Sequence, residues 1–124
     1  MNGEESWTRM ACILALRRAF SSKLGGPGLF TAVRERIPIL SVLLNNFSMA
    51  IELKVMKTAT EKFRSTDISG HYAVFAKALG GWGERVTEPG EIVPAIKRAI
   101  AKTREGTPAL LEFITEKAED FSMF

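Results

Sequence analysis

Residues 38–46 of the chain read Pro-Ile-Leu-Ser-Val-Leu-Leu-Asn-Asn. The segment 39–44 is an apolar run that Pro38 bounds on one side and an asparagine pair bounds on the other. This length, with these flanks, is typical of a strand that is buried on both faces, as in a parallel sheet. We therefore predict a strand over residues 39–44, with the asparagines at its carboxyl end.

Helical and extended patterns alternate on both sides of this strand. Apolar residues recur at helical spacing in some segments, and short apolar or alternating runs bounded by Gly or Pro separate them. Such an alternation predicts an α/β fold with a mostly parallel sheet flanked by helices. The other predicted elements are helices over residues 7–20, 29–36, 49–60, 71–79 and 88–104, strands over 82–86 and 109–115, and a break over 21–28.

Length and composition are those of one ordinary globular domain. The chain has 124 residues, of which 46% are hydrophobic and 25% charged, so it can bury a core. The net charge is +3, but the Lys and Arg residues are spread along the chain and interleaved with Glu. A nucleic-acid-binding protein would concentrate them on one face or in one run, so we expect no nucleic-acid partner.

The single cysteine and the apolar segments exclude several further classes. Cys12 has no second thiol to pair with, so neither an internal disulfide nor a cysteine zinc site is expected. No apolar run approaches the roughly 20 residues that span a bilayer. The N-terminal apolar patch follows Glu4 and Glu5 rather than positive residues, unlike a signal peptide. These features predict a cytoplasmic protein without a membrane partner.

Asn45 and Asn46 are the first candidates for a site. Ligands of open parallel sheets bind beyond the carboxyl ends of the strands. Amide and backbone oxygens there suit Mg²⁺, which bridges to phosphates, and a helix that starts near Met49 would offer free N–H groups to the same phosphates. An asparagine pair is also common in simple turns, and the spacing alone favours that simpler interpretation.

A longer comparison of motifs favours the functional interpretation. Residues 29–46 combine a Thr-Ala-Val-Arg helix, an Ile-Pro-Ile entry and a strand that ends in Asn-Asn. This run resembles the second half of the thiamine diphosphate motif of acetolactate synthase-like enzymes. The order of segments that follow is similar to the same C-terminal thiamine diphosphate (TPP)-binding domain, and the resemblance covers about residues 29–115. Those segments are 72–81, Gly-Glu-Arg-Val at 83–86, Pro-Gly-Glu-Ile at 89–92 and Pro-Ala-Leu-Leu-Glu-Phe at 108–113.

The resemblance implies roles for five residues. Asn46 would bind Mg²⁺ through its side-chain oxygen, and Ser48 would bind the same ion through its backbone carbonyl. Met49, Ala50 and Ile51 would form the turn into the helix that receives the diphosphate of the cofactor. The family usually has Gly where this chain has Ala50, so the backbone there is expected to differ.

The chain departs from the family upstream of the asparagines. The family motif begins with Gly-Asp-Gly, whose aspartate is the other protein ligand of the metal, but no aspartate precedes Asp67 here. Arg17 and Arg18 stand in the corresponding stretch, and such a replacement should weaken Mg²⁺ binding. We therefore expect residues 1–24 to be a helical, non-family segment, residues 25–118 to be the cofactor-binding domain and residues 119–124 to be a tail.

The resemblance implies a domain of an enzyme rather than a complete enzyme. The family binds its cofactor between two domains, and the glutamate that activates it comes from the pyrimidine-binding domain. The expected function is therefore thiamine diphosphate and Mg²⁺ binding within a transferase or lyase that acts on 2-oxo acids, by carboligation or decarboxylation. We expect no catalytic residue in this chain and no activity of the chain alone.

Partners and alternatives follow from the same incompleteness. The expected partners are further copies of the chain, as a homo-oligomer, or a chain with the pyrimidine domain, as in split members of the family. The main alternative is a non-catalytic remnant or interaction module that has lost the metal site. The missing aspartate favours this alternative, whereas the intact segment from Asn46 to Ile51 favours the enzyme domain.

Overall fold

Four parallel strands form the sheet of this protein. The computed structural model describes residues 13–16, 25–49, 55–68 and 70–117. Within these residues the strand order is β1-β2-β4-β3, and every neighbouring pair is parallel. The strands are β1 (Ile13–Leu16), β2 (Leu40–Asn45), β3 (Trp82–Val86) and β4 (Ala109–Ile114).

Helices connect the parallel strands, as crossover connections require. A 3₁₀ turn over Pro89–Glu91 leads directly into the last helix, where proline suits the first turn because its missing N–H would have no helical partner. Among the described residues, no helix is both long enough and apolar enough to cross a membrane. The helices are α1 (Gly25–Arg34), α2 (Lys57–Phe63), α3 (Tyr72–Ala78) and α4 (Ile92–Arg104).

The core lies on both faces of the sheet. On one face, Leu40 and Leu111 pack with Ala95 and Ala99 of α4. On the other face, Leu43 and Leu110 pack with helices α1 and α3. Successive residues of a strand point to opposite faces, so the nearly unbroken apolar sequence of β2 and β4 is what a sheet covered on both sides requires.

The predicted fold class is confirmed, and the strand after Pro38 forms one residue later than predicted. The predicted strand over 39–44 is observed as Leu40–Asn45, which places Asn45 within the strand. The predictions for 82–86 and 109–115 correspond to β3 and β4. These segments were predictable because buried strands leave short apolar runs between breaks.

The N-terminal predictions are wrong in two respects. A helix was expected over 7–20, but Ile13–Leu16 is a strand that pairs in parallel with β2. A short apolar run fits either structure, and pairing with a neighbouring strand decides between them. The break over 21–28 is also wrong in its last part, because α1 begins at Gly25. Cys12, Arg17 and Arg18 lie outside the described residues, and the proposed boundaries at 25 and 118 stay predictions.

The predicted helix over 49–60 is wrong at its start. The Met49 N–H donates to the Thr66 carbonyl oxygen at 2.7 Å, so Met49 pairs with an extended segment instead of opening a helix. Val55 and Met56 precede α2, which begins only at Lys57. Residues 50–54 lie outside the part of the chain that is described.

Candidate functional site at the carboxyl edge of the sheet

The turn after β2 is stabilised by its own asparagine side chains. Asn45 Oδ1 accepts a hydrogen bond from the Phe47 N–H at 2.9 Å, and Asn46 Oδ1 accepts one from the Ser48 N–H at 3.0 Å. Asparagine commonly makes this bond to the backbone two residues on. Phe47 adopts a left-handed backbone with φ of 55°, which is uncommon for a bulky residue.

Beyond the turn, the backbone pairs briefly with the segment before α3. Ser48 lies opposite Asp67 in an antiparallel bridge. The flanking bonds run from the Met49 N–H to the Thr66 carbonyl at 2.7 Å and from the Ile68 N–H to the Phe47 carbonyl at 2.9 Å. Ser48 and Asp67 are therefore a pair without direct hydrogen bonds between them, and their own N–H and C=O groups point away from each other.

This geometry brings two oxygens to one side of the chain. In an extended residue the N–H and C=O groups point the same way, and the Ser48 N–H is bonded to Asn46 Oδ1. The Ser48 carbonyl oxygen and the Asn46 side-chain oxygen therefore lie on the same side of the segment. An amide oxygen has two lone pairs, so Asn46 can bind a cation as well as the Ser48 N–H. Such oxygens suit a hard cation.

The carboxylates near these two oxygens are already paired with basic side chains. Asp67, the first aspartate in the chain, lies across the bridge from Ser48. Its carboxylate contacts Arg64 at 2.7 Å and Lys117 at 3.8 Å. No group of three or more His, Cys, Asp or Glu residues with the geometry to hold a metal occurs in the described part of the chain. The described residues therefore provide amide and carbonyl oxygens that suit Mg²⁺, but they do not provide a free carboxylate ligand for it.

The other predicted cofactor-binding residues are only partly described. Met49 follows Ser48 directly and is 43% exposed, but it is not part of a helix. Ala50 and Ile51 lie outside the described residues. Their predicted part in binding the diphosphate therefore stays a prediction.

A buried carboxylate lies beside the turn on the same face of the sheet. Glu112 of β4 has no exposed surface. Its Oε1 accepts hydrogen bonds from Asn45 Nδ2 at 2.7 Å and from Arg85 Nη2 at 2.8 Å. Its Oε2 accepts from the Ala73 N–H at 3.0 Å and from Arg85 Nε at 3.1 Å. These four bonds connect β2, β3 and the first turn of α3 to the carboxylate of Glu112 on β4.

The donors around Glu112 keep it ionised. Burial by itself would raise the pKa of Glu112, but the hydrogen bonds from Arg85, the Ala73 N–H and Asn45, together with the Arg85 charge, lower the pKa below its usual value. Arg85 is the matching cation, because its fork contacts both carboxylate oxygens. Burial and the charge of Glu112 raise the pKa of Tyr72. His71 Nδ1 lies 3.8 Å from Glu112 Oε2 and is half exposed.

The sequence contained a signal for Glu112 that the prediction did not use. A charged residue within the apolar run 109–114 is almost never fully buried without a partner. Arg85 is the facing residue in the register between β3 and β4. The pair could have been predicted from adjacent parallel strands, whereas the bond from Asn45 depends on the strand order, which the sequence did not provide.

A family model and two sequence relatives match this chain. Residues 22–113 match the family model described as thiamine pyrophosphate enzyme, C-terminal TPP binding domain. The chain is 32% identical over 88 residues to a probable acetolactate synthase of Mycobacterium bovis and, with the same values, to the acetolactate synthase large subunit IlvG of Mycobacterium tuberculosis. Each alignment covers 69% of this chain but only 16% of the relative.

Solved structures with the same fold belong to much longer chains. Benzoylformate decarboxylase from Polynucleobacter necessarius superposes with a TM-score of 0.72 at 17% identity, over 93% of this chain and 21% of that one. The thiamine diphosphate-dependent 4-hydroxybenzoylformate decarboxylase of Rhodococcus jostii RHA1 gives 0.70 at 24% identity, over 89% and 20%. At these identities the likeness supports the fold alone.

Proposed function

Because the chain belongs to the family of C-terminal TPP-binding domains of thiamine pyrophosphate enzymes, we propose that it binds the diphosphate end of thiamine diphosphate through Mg²⁺. The observation that carries the proposal is the turn at the end of β2, where the Asn46 side chain and the Ser48 carbonyl offer oxygens on one side. In this proposal both oxygens are ligands of the ion, and Met49, Ala50 and Ile51 line the diphosphate.

We propose that the enzyme to which this domain contributes catalyses carboligation or decarboxylation of a 2-oxo acid. Thiamine diphosphate, when bound, would stabilise negative charge on the carbon that was the carbonyl carbon of the 2-oxo acid. The chain itself would hold the cofactor and the metal, in the cytoplasm, and would contribute no catalytic residue. The chain spans 16% of the length of the acetolactate synthase relatives that it matches.

We propose that this chain is inactive alone, because the family resemblance places the activating glutamate in the pyrimidine-binding domain. The partner that completes the site would be a chain that carries the pyrimidine-binding domain, and the chain is also proposed to associate with further copies of itself. The purified chain, with thiamine diphosphate, Mg²⁺ and a 2-oxo acid, should convert the acid no faster than the free cofactor does in solution. Turnover by the chain alone would contradict this part of the proposal.

Calorimetric titration with thiamine diphosphate, with and without Mg²⁺, tests cofactor binding. We expect binding that depends on Mg²⁺ and that weakens by about tenfold or more in Asn46→Ala, since a ligand oxygen is removed. Asn46→Asp is the matched control, because aspartate keeps both an oxygen for the metal and an acceptor for the Ser48 N–H. Circular dichroism of each variant establishes that it is folded.

A titration that shows no binding of thiamine diphosphate would support the non-catalytic alternative. The absence of an aspartate before Asp67 is the observation in its favour, because Mg²⁺ sites that bind phosphates normally include a carboxylate. No heat from folded wild type at millimolar cofactor would contradict cofactor binding and would favour an interaction module. Equal affinities of Asn46→Ala and wild type would contradict the role of Asn46 alone.

A further inference from the structure

Three strand ends meet at Glu112. Arg85 and Glu112 face each other in the register of β3 and β4, and Asn45 ends the strand on the other side of β4. The side chains of all three lie on the face covered by α3. Four hydrogen bonds to one buried carboxylate therefore link the ends of β2, β3 and β4 at the edge of the sheet that carries the turn.

The carboxylate determines which way the Asn45 amide points. An ionised carboxylate only accepts hydrogen bonds, so Asn45 must turn its NH₂ group toward Glu112, and its Nδ2 lies 2.7 Å from Glu112 Oε1. The Asn45 oxygen is thereby directed to the Phe47 N–H, which it accepts at 2.9 Å. The reverse orientation would place two oxygens against each other and leave the Phe47 N–H without this acceptor.

Phe47 needs support from its surroundings. Its left-handed backbone, with φ of 55°, costs free energy for a side chain with a Cβ and persists only when the surroundings favour it. The guanidinium of Arg85 lies 5.7 Å from the centre of the Phe47 ring, within the range of a cation–π contact. Glu112 thus acts on Phe47 from two sides, through Asn45 to its backbone and through Arg85 to its ring.

We propose that Glu112 is a positioning residue that orients Asn45 and Arg85 and so fixes the turn from Asn45 to Ser48. The structural part of this inference depends only on the contacts above. Its consequence for cofactor binding rests on the proposed function, because the turn carries the Asn46 and Ser48 oxygens.

The test is amide hydrogen exchange by NMR on the full chain, with Glu112→Gln as the variant. Glutamine keeps the shape but carries an NH₂ group that cannot accept, so at least one bond to Asn45, Ala73 or Arg85 is lost. We expect exchange at the Phe47 amide to rise about tenfold more than exchange at strand amides such as Ala109, which corresponds to one lost hydrogen bond.

Leu111→Ala is the matched control. Leu111 is the neighbouring residue on β4, is fully buried and faces α4 on the opposite side of the sheet. Its truncation destabilises the fold without touching the Glu112 contacts, so exchange should rise evenly at Phe47 and at the strand amides. An equal pattern in Glu112→Gln and Leu111→Ala would overturn the proposal.

Two further measurements distinguish a failure of the proposal about Glu112 from a failure of the proposed function. In wild type, the Asn45 side-chain NH₂ should exchange more slowly than that of half-buried Asn46, and equal rates would overturn the proposal even if Glu112→Gln does not fold. Mg²⁺-dependent affinity for thiamine diphosphate should fall about tenfold in Glu112→Gln and stay unchanged in Leu111→Ala. If wild type binds no cofactor, the proposed function fails, and the exchange data still decide the role of Glu112.

Discussion

At the scale of single residues, the charge of Glu112 should be visible in the dependence of stability on pH. Its pKa is below the usual value in the folded state, so unfolding takes up a proton once the pH approaches the unfolded value, about 4.3. The stabilisation from this group is complete above that value and is lost as the pH falls through the lower, folded pKa. We expect denaturant unfolding of wild type to show a decline of stability in this window.

The same measurement on Glu112→Gln isolates the contribution of this carboxylate. The variant should be less stable than wild type at neutral pH, because the Arg85 charge then lacks its buried partner. Its stability should fall less steeply between about pH 5 and pH 3, since a glutamine does not titrate there. Parallel curves for the two proteins would show that Glu112 is not held ionised by its donors.

The residues of the turn show how far side-chain chemistry could be predicted from sequence. Asn46 and Ser48 were assigned from motif order, and their geometry is compatible with that assignment, although metal binding stays a proposal. Asn45 was predicted as the end of the strand and as part of a candidate asparagine pair, but without a role of its own. Its role depends on Glu112, which is 67 positions away in the sequence. Contacts of this kind follow from which strands are neighbours, and local patterns carry no information on that.

At the scale of elements, the close approach of α3 to β3 depends on Gly83. A Cβ placed on Gly83 would overlap the Ala73 carbonyl oxygen and would lie 2.9 Å from the carbonyl carbon. Both contacts are backbone atoms that cannot rotate away. We expect Gly83→Ala to lower the free energy of unfolding by roughly 3 kcal/mol, measured by urea denaturation.

Gly28→Ala is the control for this prediction. Gly28 lies within α1, and a Cβ there would meet no atom of the described residues within 4 Å. Alanine restricts the unfolded chain and favours a helix, so this variant should be more stable by about 0.4–1 kcal/mol. The prediction about Gly83 is wrong if both substitutions change stability in the same direction and by similar amounts.

The elements that were predicted well are those whose local pattern agrees with their packing. Strands β2 and β4 are apolar on both sides because helices cover both faces of the sheet. The pattern failed at Ile13–Leu16, where a run that also fits a helix pairs with β2. It failed again at Met49, where a backbone bond to Thr66 replaces the first turn of a helix. Tertiary pairing overrode helical spacing in both cases.

At the scale of the whole molecule, the layer formed by α1 and α3 leaves apolar side chains on its outer side. Phe30 of α1 is 51% exposed, and Val74 and Phe75 of α3 are 53% and 42% exposed. Exposed apolar residues that share one layer are typical of an interaction surface. We therefore expect the chain to self-associate, with an average mass by light scattering above the 13.7 kDa of one copy that rises with concentration.

Substitution within this layer should reverse the association. Val74→Lys places a charge among the exposed apolar residues and should shift the average mass toward one copy, because burying an unpaired charge in an interface costs free energy. Thr58→Lys is the matched control, since it adds the same charge on α2, a helix without buried residues. A wild type that stays at the mass of one copy at every concentration would contradict self-association. Equal effects of the two lysines would instead indicate that added net charge, and not the α1 and α3 layer, controls it.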